Sequence, residues 1–134
     1  MTEDRFERGH QALIDLNGEE TAQRVLDGLA DISPKLADSL VAWGFGEIYT
    51  RPQLVPRDRQ LVTLGMLTAL GGCEPQLEVH VNASLNAGLT PEEIVEALLQ
   101  SAAYCGFPRA LNATAVAKKV FGERGLLPVA EARS

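Results

Sequence analysis

Cysteines, aromatic residues and long apolar runs are all scarce in this 134-residue chain. The two cysteines, Cys73 and Cys105, and the lack of a signal-peptide or lipidation pattern favour a reduced, cytoplasmic protein in which both remain thiols. No apolar run reaches the length of a membrane-spanning helix. A chain of this length buries about 68% of the surface that it exposes when unfolded, so we expect one domain over residues 1–134 that needs no disulfide.

Basic clusters are also absent. Twelve basic side chains against 18 acidic ones give a net charge of −6, and the densest basic run is the pair Lys118-Lys119. This balance argues against nucleic acid and anionic membranes as partners, while a local arginine could still bind a small anionic substrate. The chain has no glycine-rich phosphate loop and no nucleophile elbow. Its two histidines, His10 and His80, are too far apart for helical pairing, so we expect no zinc or iron site.

Apolar residues make up 46% of the chain and recur at helical spacing, which predicts an all-α fold of six or seven helices. The predicted helices cover residues 2–16, 19–32, 34–48, 57–71, 75–87, 91–105 and 108–122, and residues 126–134 are predicted to form a loose tail. Apolar residues surround most of the 57–71 helix, so we expect it to be the most buried one. So many apolar helix faces in a short chain favour an oligomer.

Local signals mark several helix ends. Ser33 is a predicted N-cap before Pro34, and Thr90 with Glu93 predicts a capping box. Gly44 and Gly46 interrupt the third helix, where glycine costs up to about 1 kcal/mol relative to alanine. Their presence there indicates a bend or a close approach of another backbone.

The segment 72–88 holds the first candidate functional residue. Pro75 suits the first turn of a helix, and Gly88 suits the left-handed position after its end. The residues that share one face of this helix are Leu77, His80, Val81 and Ser84. A histidine therefore lies in the stripe that should face inward. Spacing alone favours a hydrogen-bonded core histidine over a catalytic one, because a buried polar group needs only a partner.

Two charged residues lie at unfavourable helix ends. Glu47 falls near the end of the third helix, where a carboxylate opposes the helix dipole, and Arg59 falls in the first turn of the next helix, where a cation does the same. A solvated glutamate and a surface ion pair are the ordinary explanations. Binding to a substrate or to a catalytic partner is the functional alternative.

An ordered set of residues runs through most of the chain. Its members are residues 5–9, Trp43, Gly46, Glu47, Arg51, Pro52, Leu54, Arg59, residues 61–63, Ala69, Leu70, Leu77, His80, Ala83, residues 86–88, Thr90, Glu93, Tyr104, Gly106, Pro108 and Ala113. In this set the chain resembles the carboxymuconolactone decarboxylase family, which shares a helical core with the AhpD-type alkylhydroperoxidases.

The resemblance implies an AhpD-like fold and a cofactor-independent enzyme of aromatic catabolism. Its reaction would convert 4-carboxymuconolactone, or a related lactone acid, to the 3-oxoadipate enol-lactone. His80 would be the acid or oxyanion donor and Glu47 its partner. The residues implied in substrate binding are Arg51, Arg59, Trp43 and Tyr104. The resemblance also implies a homohexamer.

One departure bears on the substrate. The decarboxylases commonly carry one or two arginines shortly after the glycine that corresponds to Gly9, and this chain has Ala12, Leu13 and Ile14 there. A less charged lactone is therefore compatible with the sequence.

Two alternatives stay open. The peroxidase branch uses a Cys-x-x-Cys pair, and Cys73 stands at its first position, seven residues before His80, but Gln76 occupies the second. A sulfenic acid at Cys73 would have no neighbouring thiol to resolve it, which leaves a one-cysteine peroxidase as the thiol alternative. The other alternative is a non-catalytic helical assembly in which His80 and Glu47 satisfy each other.

Overall fold

The computed structural model describes residues 4–130, and these residues contain seven α-helices and no β-strand. The helices are α1 (Arg5–Asn17), α2 (Glu19–Ala30), α3 (Pro34–Ser39), α4 (Pro56–Leu70), α5 (Glu74–Asn86), α6 (Pro91–Cys105) and α7 (Phe107–Glu123). A π-helical segment, π1 (Leu40–Tyr49), continues α3. The all-α prediction is confirmed, and the predicted helix start at Thr2 lies outside the described residues.

The chain divides into two compact units at the Pro56–Arg57 bond. The N-terminal unit holds α1, α2, α3 and π1, and the C-terminal unit holds almost all of α4 together with α5, α6 and α7. The single-domain expectation stays a prediction. Between residues 4 and 130, no helix combines the length and the apolar character needed to cross a membrane.

Close backbone contact between α1 and π1 organises the N-terminal unit. A Cβ atom on Gly9 would lie 1.9 Å from the carbonyl oxygen of Val41, and one on Gly46 would lie 2.3 Å from that of Arg5. Only glycine fits at either position. The predicted close approach is therefore confirmed at Gly46. At Gly44 the nearest atom would be a side-chain carbon 3.9 Å away, so that glycine has no such role.

The third predicted helix changes its winding at Leu40. Ser33 caps α3 as predicted, because its hydroxyl accepts a hydrogen bond from the amide of Leu36 at 3.2 Å. From Leu40 onward the backbone is π-helical, so the prediction of a regular α-helix to residue 48 was wrong in type. The spacing of apolar residues over a ten-residue segment does not distinguish an α-helix from a π-helix. Segments of π-helix are rare and often occur at functional sites.

The core of the C-terminal unit is built from α4, α5, α6 and α7. Its buried members are Leu64, Leu77, Val81, Leu89, Ile94, Leu98, Ala113, Ala117, Val120 and Phe121. The predicted capping box at the start of α6 is confirmed, since Thr90 and Glu93 exchange both of its hydrogen bonds. Gly88 adopts the predicted left-handed conformation with φ +100°.

The prediction that α4 is the most buried helix was wrong. One face is buried through Gln60, Leu64 and Thr68, but Met66 and Leu70 on the other side are 56% and 68% exposed. Apolar residues on both faces of a helix show that burial of each face is favourable. They do not show that the same chain buries both faces.

The predicted loose tail is also corrected in part. Leu126 and Val129 pack against the core of the C-terminal unit as partly buried side chains. Their apolar contacts hold the segment after α7 against the helices. Residues 131–134 of the predicted tail lie outside the described part of the chain.

Candidate functional site

His80 lies in the middle of α5, and its ring is held by Gln60 of α4. The Nδ1 atom of His80 is 3.0 Å from Oε1 of Gln60. The remaining residues of the predicted inward face, Leu77, Val81 and Ser84, are at most 1% exposed. That face is confirmed as inward, and His80 is its partly buried member.

Burial also affects the protonation of His80. Removal of the ring from water lowers the pKa of His80 below its ordinary value, because the imidazolium loses more solvation than the neutral ring. His80 is therefore mainly neutral near pH 7. A neutral imidazole carries one N–H and one bare nitrogen, so its chemistry depends on which nitrogen holds the proton.

The lowered pKa of His80 predicts how the free energy of unfolding depends on pH. The unfolded chain binds a proton at His80 more readily than the folded chain, so this residue lowers stability as the pH falls from about 6.5 toward the lowered pKa, with no effect above that window. We expect His80→Asn to remove this part of the pH dependence, as measured by urea unfolding between pH 8 and pH 5. Equal slopes for the wild type and the variant would contradict it.

Glu47, the predicted partner of His80, lies in π1 and forms an ion pair with Arg5 at 2.9 Å. Its side chain is 35% exposed, so this pair adds little to stability. The carbonyl oxygen of the preceding residue, Gly46, accepts hydrogen bonds from Nε of Arg8 at 2.8 Å and from the Thr50 hydroxyl at 2.7 Å. Glu47 therefore sits on a well-anchored backbone. Its pairing with His80 stays a prediction.

The residues predicted to bind substrate fall into both units. Trp43 of π1 is 61% exposed, and Arg51, just after π1, is also exposed. Arg59 is partly buried in the first turn of α4, adjacent in sequence to Gln60. Tyr104 is 87% exposed near the end of α6. Their substrate contacts stay predictions.

A groove of about 590 Å³ runs between α4 and α6 of the C-terminal unit. Its lining includes Tyr104 and Cys105 of α6 and the small or apolar residues Leu61, Gly65 and Ala97. His80 is not among the lining side chains. The groove is therefore a feature separate from the histidine.

The two cysteines are free thiols, as expected. Cys73 directly precedes α5, and its sulfur is 3.6 Å from the carbonyl oxygen of Gly71, while Cys105 donates to the carbonyl oxygen of Ser101 at 3.0 Å. Gln76, which replaces the second cysteine of a peroxidase pair, is exposed. Over residues 4–130, no group of three or more histidine, cysteine or acidic side chains could hold a metal ion.

Sequence reasoning missed Gln60. Its side chain is completely buried, although glutamine usually lies at the surface. The signal was present in the pattern, because Gln60 lies four and eight residues before Leu64 and Thr68 on one face of α4. A polar residue in an apolar stripe needs a partner, and here that partner is the histidine.

Comparison with known proteins finds one matching family and several similar proteins. The model of the carboxymuconolactone decarboxylase family matches residues 34–119. The chain is 32% identical to a 4-carboxymuconolactone decarboxylase of Acinetobacter baylyi over 126 residues, 94% of this chain and 93% of that protein. It is 30% identical to a nitrosuccinic acid decarboxylase of Metarhizium robertsii over 88% of this chain and 82% of the relative.

A third relative is an uncharacterized 15.0 kDa protein of Paracoccus denitrificans, 36% identical over 75% of this chain and 73% of its own length. The family model covers well over half of the chain, and the two decarboxylases align along most of it. The chain therefore belongs to the carboxymuconolactone decarboxylase family.

Proposed function

We propose that the protein is a carbon–carbon lyase that decarboxylates 4-carboxymuconolactone, or a related lactone acid, without a cofactor. The observation that carries this proposal is His80, a neutral, partly buried imidazole held at Nδ1 within a chain of this family. The two named decarboxylases act on different carboxylic acids, so they support loss of carbon dioxide more firmly than they support the lactone.

The chemistry of the lactone explains why one imidazole could suffice. The departing carboxylate is attached at the far end of an unsaturated lactone. When its C–C bond breaks, the electron pair moves through the ring double bond to the lactone carbonyl and forms a dienolate. Protonation of the carbon next to that carbonyl then gives the enol-lactone. The protein must stabilise the oxyanion and deliver one proton.

The proton balance defines the role of His80. Each turnover consumes one proton, because a carboxylate leaves as carbon dioxide and a proton is added to the carbon next to the lactone carbonyl. Neutral His80 would take up this proton when the anionic substrate binds, since nearby negative charge favours the imidazolium. It would then transfer the proton to the dienolate and return to its neutral form, and water would supply the next proton when the next substrate binds. Arg51 and Arg59 are the proposed ligands of the substrate carboxylates, and Trp43 and Tyr104 its proposed apolar contacts.

The test is carbon dioxide release from 4-carboxymuconolactone, together with appearance of the enol-lactone. We expect turnover by the wild type and by Cys73→Ser, because the proposed chemistry uses no thiol. Turnover by neither protein would contradict the decarboxylase proposal for this substrate. A peroxide-dependent activity that Cys73→Ser abolishes would instead favour the thiol alternative.

An oligomer, by resemblance a homohexamer, is part of the proposal. Large apolar side chains on α4, α6 and α7 of the C-terminal unit are exposed, namely Val62, Met66, Leu70, Leu99, Tyr104, Phe107 and Leu111. Patches of this kind mark interaction surfaces. The free thiols of Cys73 and Cys105 support the cytoplasmic setting that is part of this proposal, and the proposed lactone substrate supports a place in aromatic catabolism.

The assembly makes its own prediction. Met66→Glu places a charge among these apolar side chains. We therefore expect the dissociation constant of the oligomer to rise by at least about tenfold, as measured by sedimentation at several concentrations. Gln76→Glu adds the same charge at an exposed polar position of α5 and should leave the mass unchanged. A Met66→Glu protein with the wild-type mass at every concentration would contradict this surface.

A further inference from the structure

We propose that Gln60 is a positioning residue that holds the neutral His80 ring with its proton on Nδ1, so that Nε2 is the ring atom that exchanges a proton with the substrate. This inference rests on the proposed function and deepens it. It also narrows the role of the histidine, because a ring with a bare Nε2 accepts a proton before it can donate one.

The first step of the argument is the contact itself. Oε1 of Gln60 lies 3.0 Å from Nδ1 of His80, a hydrogen-bond distance. An amide oxygen only accepts hydrogen bonds, so the ring nitrogen that faces it must be the donor. A neutral ring with Nδ1 protonated has its lone pair on Nε2.

The second step compares the two orientations of the amide. If Gln60 turned its NH₂ group toward Nδ1, the ring would be held in the opposite tautomer. The imidazolium carries protons on both nitrogens, so an NH₂ group at this position would repel it. The amide oxygen accepts from Nδ1–H both before and after Nε2 takes up a proton. Only the orientation in the structure, with the amide oxygen of Gln60 toward Nδ1, therefore keeps this hydrogen bond in both the neutral ring and the imidazolium.

The third step concerns the other end of the same amide. Gln60 is completely buried, and its Nε2 has no hydrogen-bond partner among the described residues. A buried donor without a partner destabilises the fold, so an apolar side chain would suit this position in α4 better. The glutamine is thus poorly explained by stability alone. Its contact with His80 supplies the missing explanation.

The test reads the tautomer directly and needs no substrate. In ¹⁵N-histidine-labelled protein above pH 7, ring-nitrogen shifts distinguish a protonated from a bare nitrogen. The chain has only two histidines, so a His10→Asn sample assigns the His80 signals. We expect Nδ1 protonated and Nε2 bare in the wild type. The opposite pattern in the wild type would overturn the proposal.

Three variants separate positioning from packing. Gln60→Leu removes the acceptor, so the ring should shift toward the Nε2–H form and kcat should fall by about 10- to 100-fold, as found for partners that orient functional histidines at metal sites. Gln60→Glu keeps an acceptor and should retain the Nδ1–H tautomer. Thr68→Val is the matched control, since Thr68 is equally buried on the same face of α4 and bonds the carbonyl oxygen of Leu64.

The outcomes distinguish this inference from the proposed function. An Nδ1–H ring in a protein that releases no carbon dioxide from 4-carboxymuconolactone would support the tautomer and contradict the decarboxylase proposal for that substrate. An active protein whose Gln60→Leu variant keeps both the wild-type tautomer and the wild-type kcat would overturn the inference alone. If Gln60→Leu fails to fold, the wild-type and Gln60→Glu spectra still decide it.

Discussion

Replacing His80 with asparagine should lower kcat for decarboxylation by about 100- to 10,000-fold, the usual contribution of a general acid or base. Asparagine keeps an N–H that can donate to Oε1 of Gln60, where Nδ1 of the ring now lies. It has no nitrogen that can bind and release a proton near neutral pH. We therefore expect the fold to persist while turnover is lost, measured as carbon dioxide release beside urea unfolding at pH 8.

His10→Asn is the matched control for this loss. His10 stacks on Phe6 with a centroid separation of 5.9 Å in the N-terminal unit, and no step of the proposed reaction uses it. Its replacement should leave kcat within about threefold of the wild type. If His80→Asn also stays within that range, His80 does not carry the proton, and the reaction mechanism proposed for this chain fails.

The helices could be predicted from the sequence because their signals are local. The Thr90–Glu93 capping box and the left-handed Gly88 each depend on a few neighbouring residues, and the structure has both. The π-helical winding after Ser39 and the uncovered face of α4 were not predicted. The π-helical winding is defined by backbone hydrogen bonds, which the spacing of apolar residues does not predict. The exposed face of α4 was not predicted because an apolar pattern does not show whether the same chain covers it.

The candidate site was predictable only in part, for a related reason. The position of His80 on the inward face of its helix follows from helical periodicity, and the structure confirms that face. Its hydrogen-bond partner lies 20 residues away on another helix, and helical periodicity within either segment does not pair the two. The resemblance implies Glu47 as the partner of His80, while the structure adds Gln60, a buried polar residue inside an apolar run.

The largest effect on stability is expected from Gly9→Ala. A Cβ atom there would lie 1.9 Å from the carbonyl oxygen of Val41 and 2.8 Å from the amide nitrogen of Gly46. Both are backbone atoms, which cannot rotate away as a side chain can. Helix α1 must therefore move off π1, and we expect a loss of at least about 3 kcal/mol in the free energy of unfolding, the upper range for overpacking.

The same shift would reach Glu47, because the hydrogen bonds from Arg5 and Arg8 to Glu47 and to the Gly46 carbonyl also join α1 to π1. If Glu47 assists His80, Gly9→Ala should lower kcat in the fraction that still folds at low temperature. Gly28→Ala is the control, since a Cβ atom on Gly28 of α2 meets nothing within 4 Å. It should raise stability by about 0.5–1 kcal/mol, because alanine restricts the unfolded chain and favours the helix. Equal urea midpoints for the two variants would show that α1 and π1 do not depend on contact at Gly9.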